Sequence, residues 1–491
     1  MSKKVAVIGG GFSGIAAAAY CAQAGFEVHV FEKNGTLGGR ARQFRAKGYK
    51  FDMGPSWYWM PDIIERFFND FGCSVKDFYE LKALDPQFEM VFDDGPLQVP
   101  SDYSELLAMA ESIETGAAKK METFMHEAKF KYDVAMKDYI FKPAHSWTEF
   151  VSWTILKSAF KMQLLTSFKK HVRRYFSSKK LLALMEFPIL FLGAMPEKIP
   201  AMYSLMNYGG YKLGTWYPIG GFGRVVRSMV NVARVQGVQF HCGSAVTKIN
   251  VSFGEAVSIE VNGQDMEFDA IIGSADYHHI ERNLLSEKYR NYNEAYWKSR
   301  TFAPSCLIFY IGLSRKIENL HHHTLFFEND LELHANEIYN DKKWPTKPLF
   351  YVCCPSKTDA TVAPENHENL FLLMPLATGI DDDPQQREKY FSQMLERLEK
   401  HTESAGLSEY IDYKSSYCIN DFMADYNAYG GNAYGLANTL KQTAMLKPAI
   451  RNKQVKNLFY AGQLTVPGPG VPPSLISGKI VANEVINLLK K

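Results

Sequence analysis

The chain has 491 residues, of which 46% are apolar and 22% are charged, and its formal net charge is +2. This length exceeds one ordinary hydrophobic core, so roughly two or three domains are expected, and the composition excludes a disordered protein. The near-neutral charge argues against a molecule that binds nucleic acid through its overall electrostatics. The 14% aromatic content fits a large apolar interior or a tunnel for an apolar ligand.

Seven cysteines are scattered along the chain, and none forms a Cys-x-x-Cys pair. An odd, unpatterned set is typical of buried thiols in a reducing compartment. No signal peptide fits before the first predicted strand, which begins at Lys3. The longest apolar run, Leu181–Pro196, is interrupted by Glu186 and is too short to span a bilayer. These features predict a cytoplasmic location.

The first predicted elements form a dinucleotide-binding unit. An apolar strand over Lys3–Ile8 leads into the glycine turn Gly9–Gly14, a helix over Ile15–Tyr20 and a second strand, Val28–Phe31, that is followed by Glu32. In such a unit the first glycine allows the tight turn, the second lets the backbone approach a pyrophosphate, and the third lets helix and strand pack closely. The helix N-terminus supplies N–H groups to the phosphates, and Glu32 can accept hydrogen bonds from ribose hydroxyls.

Two further glycine turns follow this unit. Leu37–Arg40 carries two glycines, and its arginine can pair with a pyrophosphate. A return strand, Tyr49–Asp52, leads into Gly54–Ser56, a tight turn with short side chains against which a flat ring can lie. Beyond it, Pro61–Phe68 has the pattern of an amphipathic helix, and residues 88–99 have that of a β-hairpin.

Residues 101–206 have helical patterns with no clear strand. Between Trp147 and Lys180 apolar and aromatic residues are interleaved with lysines and arginines, and acids are nearly absent between Glu149 and Glu186. A basic, aromatic amphipathic segment is typical of a helix at a membrane interface, with its cations toward anionic head groups. The pattern fits a solvated basic helix over the core equally well. A nucleic-acid patch is a weaker interpretation, since no reader motif accompanies it.

The middle of the chain returns to α/β signals, with a helix over Phe222–Val235 and a buried strand over Ala270–Ala275. Long aromatic strands are then predicted between 306 and 374, followed by a helix over about 384–401. This block favours a mostly antiparallel sheet with a helix on one face. Three adjacent histidines, His321–His323, cannot all face one ion, so we expect a solvated loop there and no metal site.

A second glycine-rich segment closes the chain. The strand Asn457–Gly462 leads into Thr465–Pro473 and then into a helix over Ser474–Leu489. The positive end of that helix can face a flavin, where it favours the reduced, anionic form. Nucleotide-domain signals at both ends and in the middle predict a discontinuous domain. No second G-x-G-x-x-G is present, since Gly221–Gly223 lacks the third glycine, so we expect electrons to pass to quinone or oxygen and not to NADP.

Three segments, Gly48–Ser56, Gly214–Gly221 and Leu458–Gly478, resemble the flavin-dependent amine oxidase and carotenoid desaturase superfamily, and most closely its bacterial phytoene desaturases. The resemblance covers essentially the whole chain. It implies FAD as cofactor, a carotenoid substrate drawn from membrane lipid, and peripheral association with the anionic surface of the inner membrane. It also implies hydride transfer to flavin as double bonds enter phytoene, a C40 polyene, and a contact between Val246 and the adenine side of the cofactor.

The predicted site residues combine these motifs with the resemblance. Asp276 is a candidate catalytic base, and a helix N-cap is the competing interpretation of the same residue. The predicted cofactor-binding residues are Gly9, Gly11, Phe12, Ser13, Gly14, Glu32, Lys33, Gly39, Arg40, Gly54, Pro55, Ser56, Val246, Gly462, Gly470, Val471 and Pro472.

The predicted fold is α/β and has three parts. They are a discontinuous, Rossmann-like FAD-binding domain (1–75, 215–300 and 405–491), an antiparallel-sheet substrate domain (76–100 and 301–404) and a helical membrane-facing lid (101–214). A desaturase of a hydroxylated or later carotenoid and a retinoid saturase share these motifs, whereas an amine or porphyrinogen oxidase is a further alternative that the basic interfacial segment disfavours. A flavin-free prenyl-binding module of related fold is the alternative from a different class, and the glycines at 462, 468 and 470 argue against it.

Overall fold

The computed structural model describes residues 2–146, 149 and 162–490. Its strands are, in chain order, β1 (Lys4–Ile8), β2 (Glu27–Glu32), β3 (Gln43–Ala46), β4 (Tyr49–Asp52), β5 (Leu81–Ala83), β6 (Phe88–Phe92), β7 (Gly95–Val99), β8 (Trp216–Pro218), β9 (Gln239–Cys242), β10 (Val246–Ser252), β11 (Glu255–Val261), β12 (Gln264–Glu267), β13 (Ala270–Gly273), β14 (Ser305–Leu313), β15 (His323–Phe326), β16 (Phe350–Cys353), β17 (Glu368–Leu376), β18 (Ile411–Tyr417) and β19 (Leu458–Tyr460). Its α-helices of five or more residues are α1 (Phe12–Gln23), α2 (Pro61–Asp70), α3 (Tyr103–Ile113), α4 (Ala117–Val134), α5 (Phe168–Val172), α6 (Lys179–Glu186), α7 (Phe222–Val235), α8 (Glu294–Lys298), α9 (Leu331–Asn336), α10 (Pro384–Thr402), α11 (Ile419–Tyr426) and α12 (Val471–Leu489).

A five-stranded parallel sheet, in the order β19-β13-β1-β2-β9, forms the nucleotide-binding half of the molecule. β1 lies at its centre, and Val5, Ala6 and Val7 are fully buried. A central parallel strand is covered on both faces, which is why its sequence is a continuous apolar run and does not alternate. The five strands of this sheet come from the start, the middle and the end of the chain, as the predicted discontinuous domain requires.

Helices α1 and α12 pack directly against each other. A Cβ at Gly478 would stand 2.5 Å from the backbone oxygen of Ser13 and 2.8 Å from the Cβ of Ala16, so glycine permits this close approach. α12 begins at Val471, earlier than the predicted Ser474, because two prolines lie in its first turn. Proline is tolerated there, since the first N–H groups of a helix have no intrahelical partner.

The second large sheet has seven strands in the order β18-β14-β17-β16-β15-β6-β7. All of its pairs are antiparallel except β15 with β6. Buried residues of α10, among them Phe391 and Met394, form one apolar cluster with residues of β14, β16 and β17. The predicted antiparallel sheet with a helix on one face is therefore present. One of its two edge strands is β18, which falls on the other side of the boundary predicted at residue 405.

The segment His321–His323 is not the solvated loop that we predicted. His322 and His323 are 5% and 0% exposed, because β15 begins at His323 and lies inside the seven-stranded sheet between β16 and β6. The His323 ring stacks on Trp57 at a centroid distance of 4.1 Å. Possible ligand atoms of His322, His323 and Cys353 lie within 4.8 Å of one another, so the absence of a metal site stays a prediction.

The described part of 101–214 contains helices α3 to α6, joined by short 3-10 and π-helical turns, and no strand, as predicted. The Lys131 ammonium on α4 is buried and donates hydrogen bonds to the Ala201 carbonyl (3.1 Å) and to Ser204 Oγ (3.0 Å). Burial lowers the pKa of Lys131 to about 8. Residues 150–161, which include Trp153 and Lys157 of the predicted basic segment, lie outside the described residues. Among the helices that the structure describes, none combines the length and the apolar character needed to cross a membrane.

We expect Gly478→Ala to lower the thermal unfolding temperature, because the added methyl overpacks the contact between α1 and α12 at a cost of about 1–3 kcal/mol. Circular dichroism during heating measures the change. Gly35→Ala is the matched control, since a Cβ at Gly35 meets no atom within 4 Å, and it should leave the unfolding temperature unchanged. Equal unfolding temperatures for the two variants would contradict the importance of this contact.

Candidate functional site

A cavity of about 1320 Å³ lies between the two large sheets and the helical region. Every predicted cofactor-binding residue except Gly14 lines it, and so does Asp276. The fold therefore brings the first glycine turn, the Gly39–Arg40 turn, the Gly54–Ser56 turn and the closing segment, residues 462–472, to one place. Val246 reaches the same cavity from the first residue of β10.

The three glycines of the first turn occupy different environments. A Cβ at Gly9 would stand 2.9 Å from the Ala275 nitrogen, and one at Gly14 would stand 2.0 Å from the Gly9 oxygen. Protein packing thus requires glycine at both positions. At Gly11 φ is −81°, and a Cβ would meet only the Gly39 Cα, at 3.9 Å. Neither backbone strain nor packing demands glycine there, so the open space beside Gly11 fits the close approach of a ligand.

The N-terminus of α1 presents free donors to this space. No side chain caps the helix, and its first turn contains no acidic residue. The first N–H groups of a helix lack intrahelical partners and carry a partial positive charge. They fit a phosphate at the cavity wall.

The Glu32 carboxylate is fixed at the end of β2. Its Oε2 accepts a hydrogen bond from the Gly10 backbone N–H (2.9 Å), and its Oε1 accepts from the Asn34 backbone N–H (2.8 Å) and side-chain amide (2.9 Å). Each carboxylate oxygen can accept more than one hydrogen bond. Glu32 lines the cavity, so its remaining lone pairs fit the hydroxyl groups of a ribose.

The Arg40 guanidinium is a half-buried cation with spare donors. Its Nη2 donates to the Asn432 carbonyl (3.3 Å), and its Nε has no hydrogen-bond partner among the described residues. Burial lowers the pKa of Arg40, although the nearby Asp276 carboxylate opposes the shift. A half-buried guanidinium with a free N–H that lines a cavity fits a pyrophosphate.

The closing glycine segment carries a second set of unsatisfied polar atoms. The Lys447 Nζ and the Asn438 Oδ1 are buried and have no hydrogen-bond partner in the described residues. They lie 3.3 Å and 3.1 Å from the position that a Cβ would take at Gly468. Burial lowers the pKa of Lys447 to about 7. Asn438 lines the cavity, so its free acceptor fits the polar edge of a flavin ring, which carries N–H groups, whereas Lys447 is not among the residues that line it.

Asp276 caps the short helix Tyr277–His279, because its Oδ1 accepts a hydrogen bond from the His279 N–H (3.1 Å). Its Oδ2 has no partner in the described residues, and burial raises the pKa of Asp276. The N-cap interpretation is confirmed. The catalytic role stays a prediction, and the position of Asp276 directly after Ala275, which packs on the Gly9 turn, associates it with the dinucleotide end of the cavity.

Sequence reasoning missed a further part of the cavity wall. Asp425, Tyr426 and Asn427 line it at the end of α11, and His279 and Gln463 line it nearby. Gln463 lies inside the closing glycine segment, and the other four belong to no glycine motif, so no local signal marked them. The far part of the wall is apolar and comes from the seven-stranded sheet, α9 and the helical region; examples are Leu192, Phe327, Leu331, Ile338, Phe350 and Leu373.

Comparison with known proteins agrees with this geometry. The family model of the flavin containing amine oxidoreductases matches residues 12–486. The chain is 38% identical to a carotenoid 3,4-desaturase of Haloarcula japonica, over 98% of each chain. It is 29% identical to a zeta-carotene-forming phytoene desaturase of Myxococcus xanthus, over 99% of this chain and 94% of the relative.

A solved structure of the same fold is cyclohexylamine oxidase from Brevibacterium oxydans, with a TM-score of 0.60, 14% identity and coverage of 100% of each chain. The family match covers both sheets except β1, and it includes the closing glycine segment. The chain therefore belongs to the flavin containing amine oxidoreductase family and is an FAD-dependent oxidoreductase of the type that acts on CH–CH groups.

Proposed function

We propose that this protein is a carotenoid desaturase that oxidises a CH–CH bond of a polyene with FAD as hydride acceptor. The observation that carries the proposal is the single cavity, which joins the glycine turns of a dinucleotide site to a long apolar wall. An apolar wall with few polar groups suits a hydrocarbon chain. The names of the relatives support the same substrate class.

We assign the cofactor-binding roles as follows. The N-terminus of α1, Gly11, Gly39 and Arg40 hold the pyrophosphate, and Glu32 holds the ribose. Val246 and Lys33 flank the adenine. The flat ring lies between Gly54–Ser56 and the closing segment, residues 462–472. FAD supplies the acceptor for a hydride, and the protein positions the polyene against it and excludes water.

The polyene itself assists the chemistry. Loss of a hydride from a carbon beside the conjugated system leaves a positive charge that is delocalised along the polyene. The neighbouring carbon then releases a proton, and the double bond forms. Because the charge is spread, a strong base is not required. We further propose quinone or oxygen as the acceptor of the electrons.

Two reactions of carotenoid synthesis are candidates for the one that this protein catalyses. We favour a 3,4-desaturation near the end of a carotenoid, since the relative with that name shares 38% identity with this chain. The relatives named for phytoene or diapophytoene desaturation share 29%. Phytoene desaturation is the second candidate, because these relatives also match almost the whole chain.

Expression in carotenoid-producing hosts distinguishes these reactions. In a host that accumulates a carotenoid already conjugated through its centre, we expect new absorption at longer wavelength, because the conjugated system is extended at its end. In a host that accumulates phytoene, we expect little coloured product. Strong colour in the phytoene host would favour the second candidate, and no spectral change in either host would contradict the proposed function.

We expect Gly11→Val to yield folded protein with little bound FAD. The side chain would enter the open space beside Gly11, and an overpacking penalty of about 1–3 kcal/mol weakens FAD binding by roughly 5- to 150-fold. The ratio of flavin to protein absorbance measures occupancy, and Gly35→Ala serves again as control. Stoichiometric FAD in Gly11→Val would show that the pyrophosphate lies elsewhere.

We also propose that the polyene enters from a membrane surface near Leu164 and Leu165. These side chains are 39% and 93% exposed, and both line the cavity. Lys170 and Arg174 lie nearby in the chain, are exposed and form no ion pair within the described residues. Exposed leucines beside free cations fit the boundary of an anionic lipid surface.

Two further cations of the segment are already paired. Lys169 forms ion pairs with Glu197 and Glu332, and Arg173 forms ion pairs with Glu186 and Glu332. Those acids come from outside the acid-poor stretch of sequence or from its end. Lys169 and Arg173 therefore contribute less free charge than the sequence alone indicates.

Because Lys170 and Arg174 form no ion pair within the described residues whereas Lys169 and Arg173 do, two double variants make a matched test. At low salt we expect the double variant Lys170→Gln/Arg174→Gln to lose about 1 kcal/mol of membrane attraction per cation, and Lys169→Gln/Arg173→Gln to lose less. Flotation with anionic liposomes measures the binding. If both double variants bound like the unmodified protein, this face would be solvated and not a docking surface.

A further inference from the structure

Two tyrosine hydroxyls stand unpaired in the cavity. Tyr339 lies in the π-helical turn Glu337–Asp341 that continues α9, and Tyr434 lies in the loop after Gly431. Both side chains line the cavity and are half-buried. Neither hydroxyl makes a hydrogen bond to any residue that the structure describes.

Other tyrosines of the same cavity do have partners. Tyr203 Oη lies 3.1 Å from Thr443 Oγ1, and Tyr277 Oη donates to the Ala449 carbonyl at 3.0 Å. Tyr351 Oη donates to Ser56 Oγ at 2.9 Å and lies 2.7 Å from His323 Nδ1. The protein thus satisfies those hydroxyls internally, whereas Tyr339 and Tyr434 present theirs to the cavity.

The two hydroxyls belong to one region of the wall. Burial raises the pKa of Tyr339, and the neighbouring Tyr434 raises it further. Burial also raises the pKa of Tyr434, as does its proximity to Cys306. Both phenols therefore stay protonated at neutral pH and can donate hydrogen bonds as well as accept them.

Their surroundings make an unpaired hydroxyl costly. Leu331, Ile338, Phe350 and Leu373 line the same cavity. A hydrocarbon that displaced water from this region would leave the hydroxyls without partners, and a buried polar group without a hydrogen bond is unfavourable. An oxygen atom on the ligand would restore the hydrogen bonds that water had made.

We propose that Tyr339 and Tyr434 form a binding site for an oxygen substituent, a hydroxyl or keto group, near one end of the polyene. The proposal rests on the proposed function and narrows it to an oxygenated substrate. Phytoene, a hydrocarbon, offers no atom that pairs with either tyrosine. The site selects among substrates, since pockets built to hydrogen-bond a polar group discriminate against analogues that lack it.

The test compares three acyclic C40 polyenes with the same number of conjugated double bonds: one with a terminal hydroxyl, one with a keto group, and the hydrocarbon. Dissociation constants for the FAD-loaded, full-length protein are measured by quenching of tryptophan fluorescence. We expect one or both oxygenated polyenes to bind roughly tenfold more tightly than the hydrocarbon. The oxygenated polyene that binds more tightly shows whether the two tyrosines recognise a hydroxyl or a keto group.

Removal of the hydroxyls should remove the preference. In Tyr339→Phe/Tyr434→Phe we expect equal binding of all three polyenes, through weaker binding of the oxygenated ones. Tyr203→Phe is the control, since that hydroxyl already has a protein partner, and it should keep the full preference. The hydrocarbon arm reports on folding, because a damaged cavity would weaken all three.

Two results would overturn the inference while leaving the proposed function intact. One is equal binding of the three polyenes to the unmodified protein, and the other is an undiminished preference in the double variant. Failure of all three to bind to FAD-loaded protein would refute the proposed function itself, and the inference with it.

Discussion

The close approach of α1 and α12 at Gly478 sets the geometry of the site. Each helix follows a glycine turn, and the contact fixes the two turns side by side although they come from opposite ends of the chain. The Gly462 N–H donates to Ser477 Oγ (3.0 Å), and Ser13 Oγ lies 2.7 Å from Ser274 Oγ. The first bond holds the closing turn to α12, and the second holds α1 to the residue that follows β13. A larger residue at 478 would separate the two halves of the cofactor site.

Local sequence signals predicted the parts of the fold that depend on local geometry. The glycine turns, the apolar run of β1 and the helix α7 each follow from residues close together in sequence. The burial of His323 does not, because it results from pairing with β16 and with β6, whose residues lie far away in the chain. The same holds for β18, which joins the larger sheet as its edge, and for Asp425–Asn427. A pattern shows that a strand or helix forms, but not what covers it.

The basic segment shows how folding changes the meaning of a charge pattern. In sequence, Lys169 and Arg173 stand in a stretch without acids. In the structure they face Glu332, which lies more than a hundred residues further along the chain. An acid-poor run therefore does not by itself make a positive surface, since the fold can supply carboxylates from another segment. The charge available to a partner is what remains after these internal pairs.

The strand order β19-β13-β1-β2-β9 also affects how the chain folds during its synthesis. β1 is synthesised long before one of its flanking strands, β13, which begins only at Ala270, and before β19 next to it, which begins at Leu458. During synthesis one edge of β1 is without its partner, and an unpaired apolar strand edge is prone to aggregation. Until β13 has been synthesised the nascent chain therefore carries an exposed apolar edge, and a chain that stops before β19 lacks the outer strand of the parallel sheet.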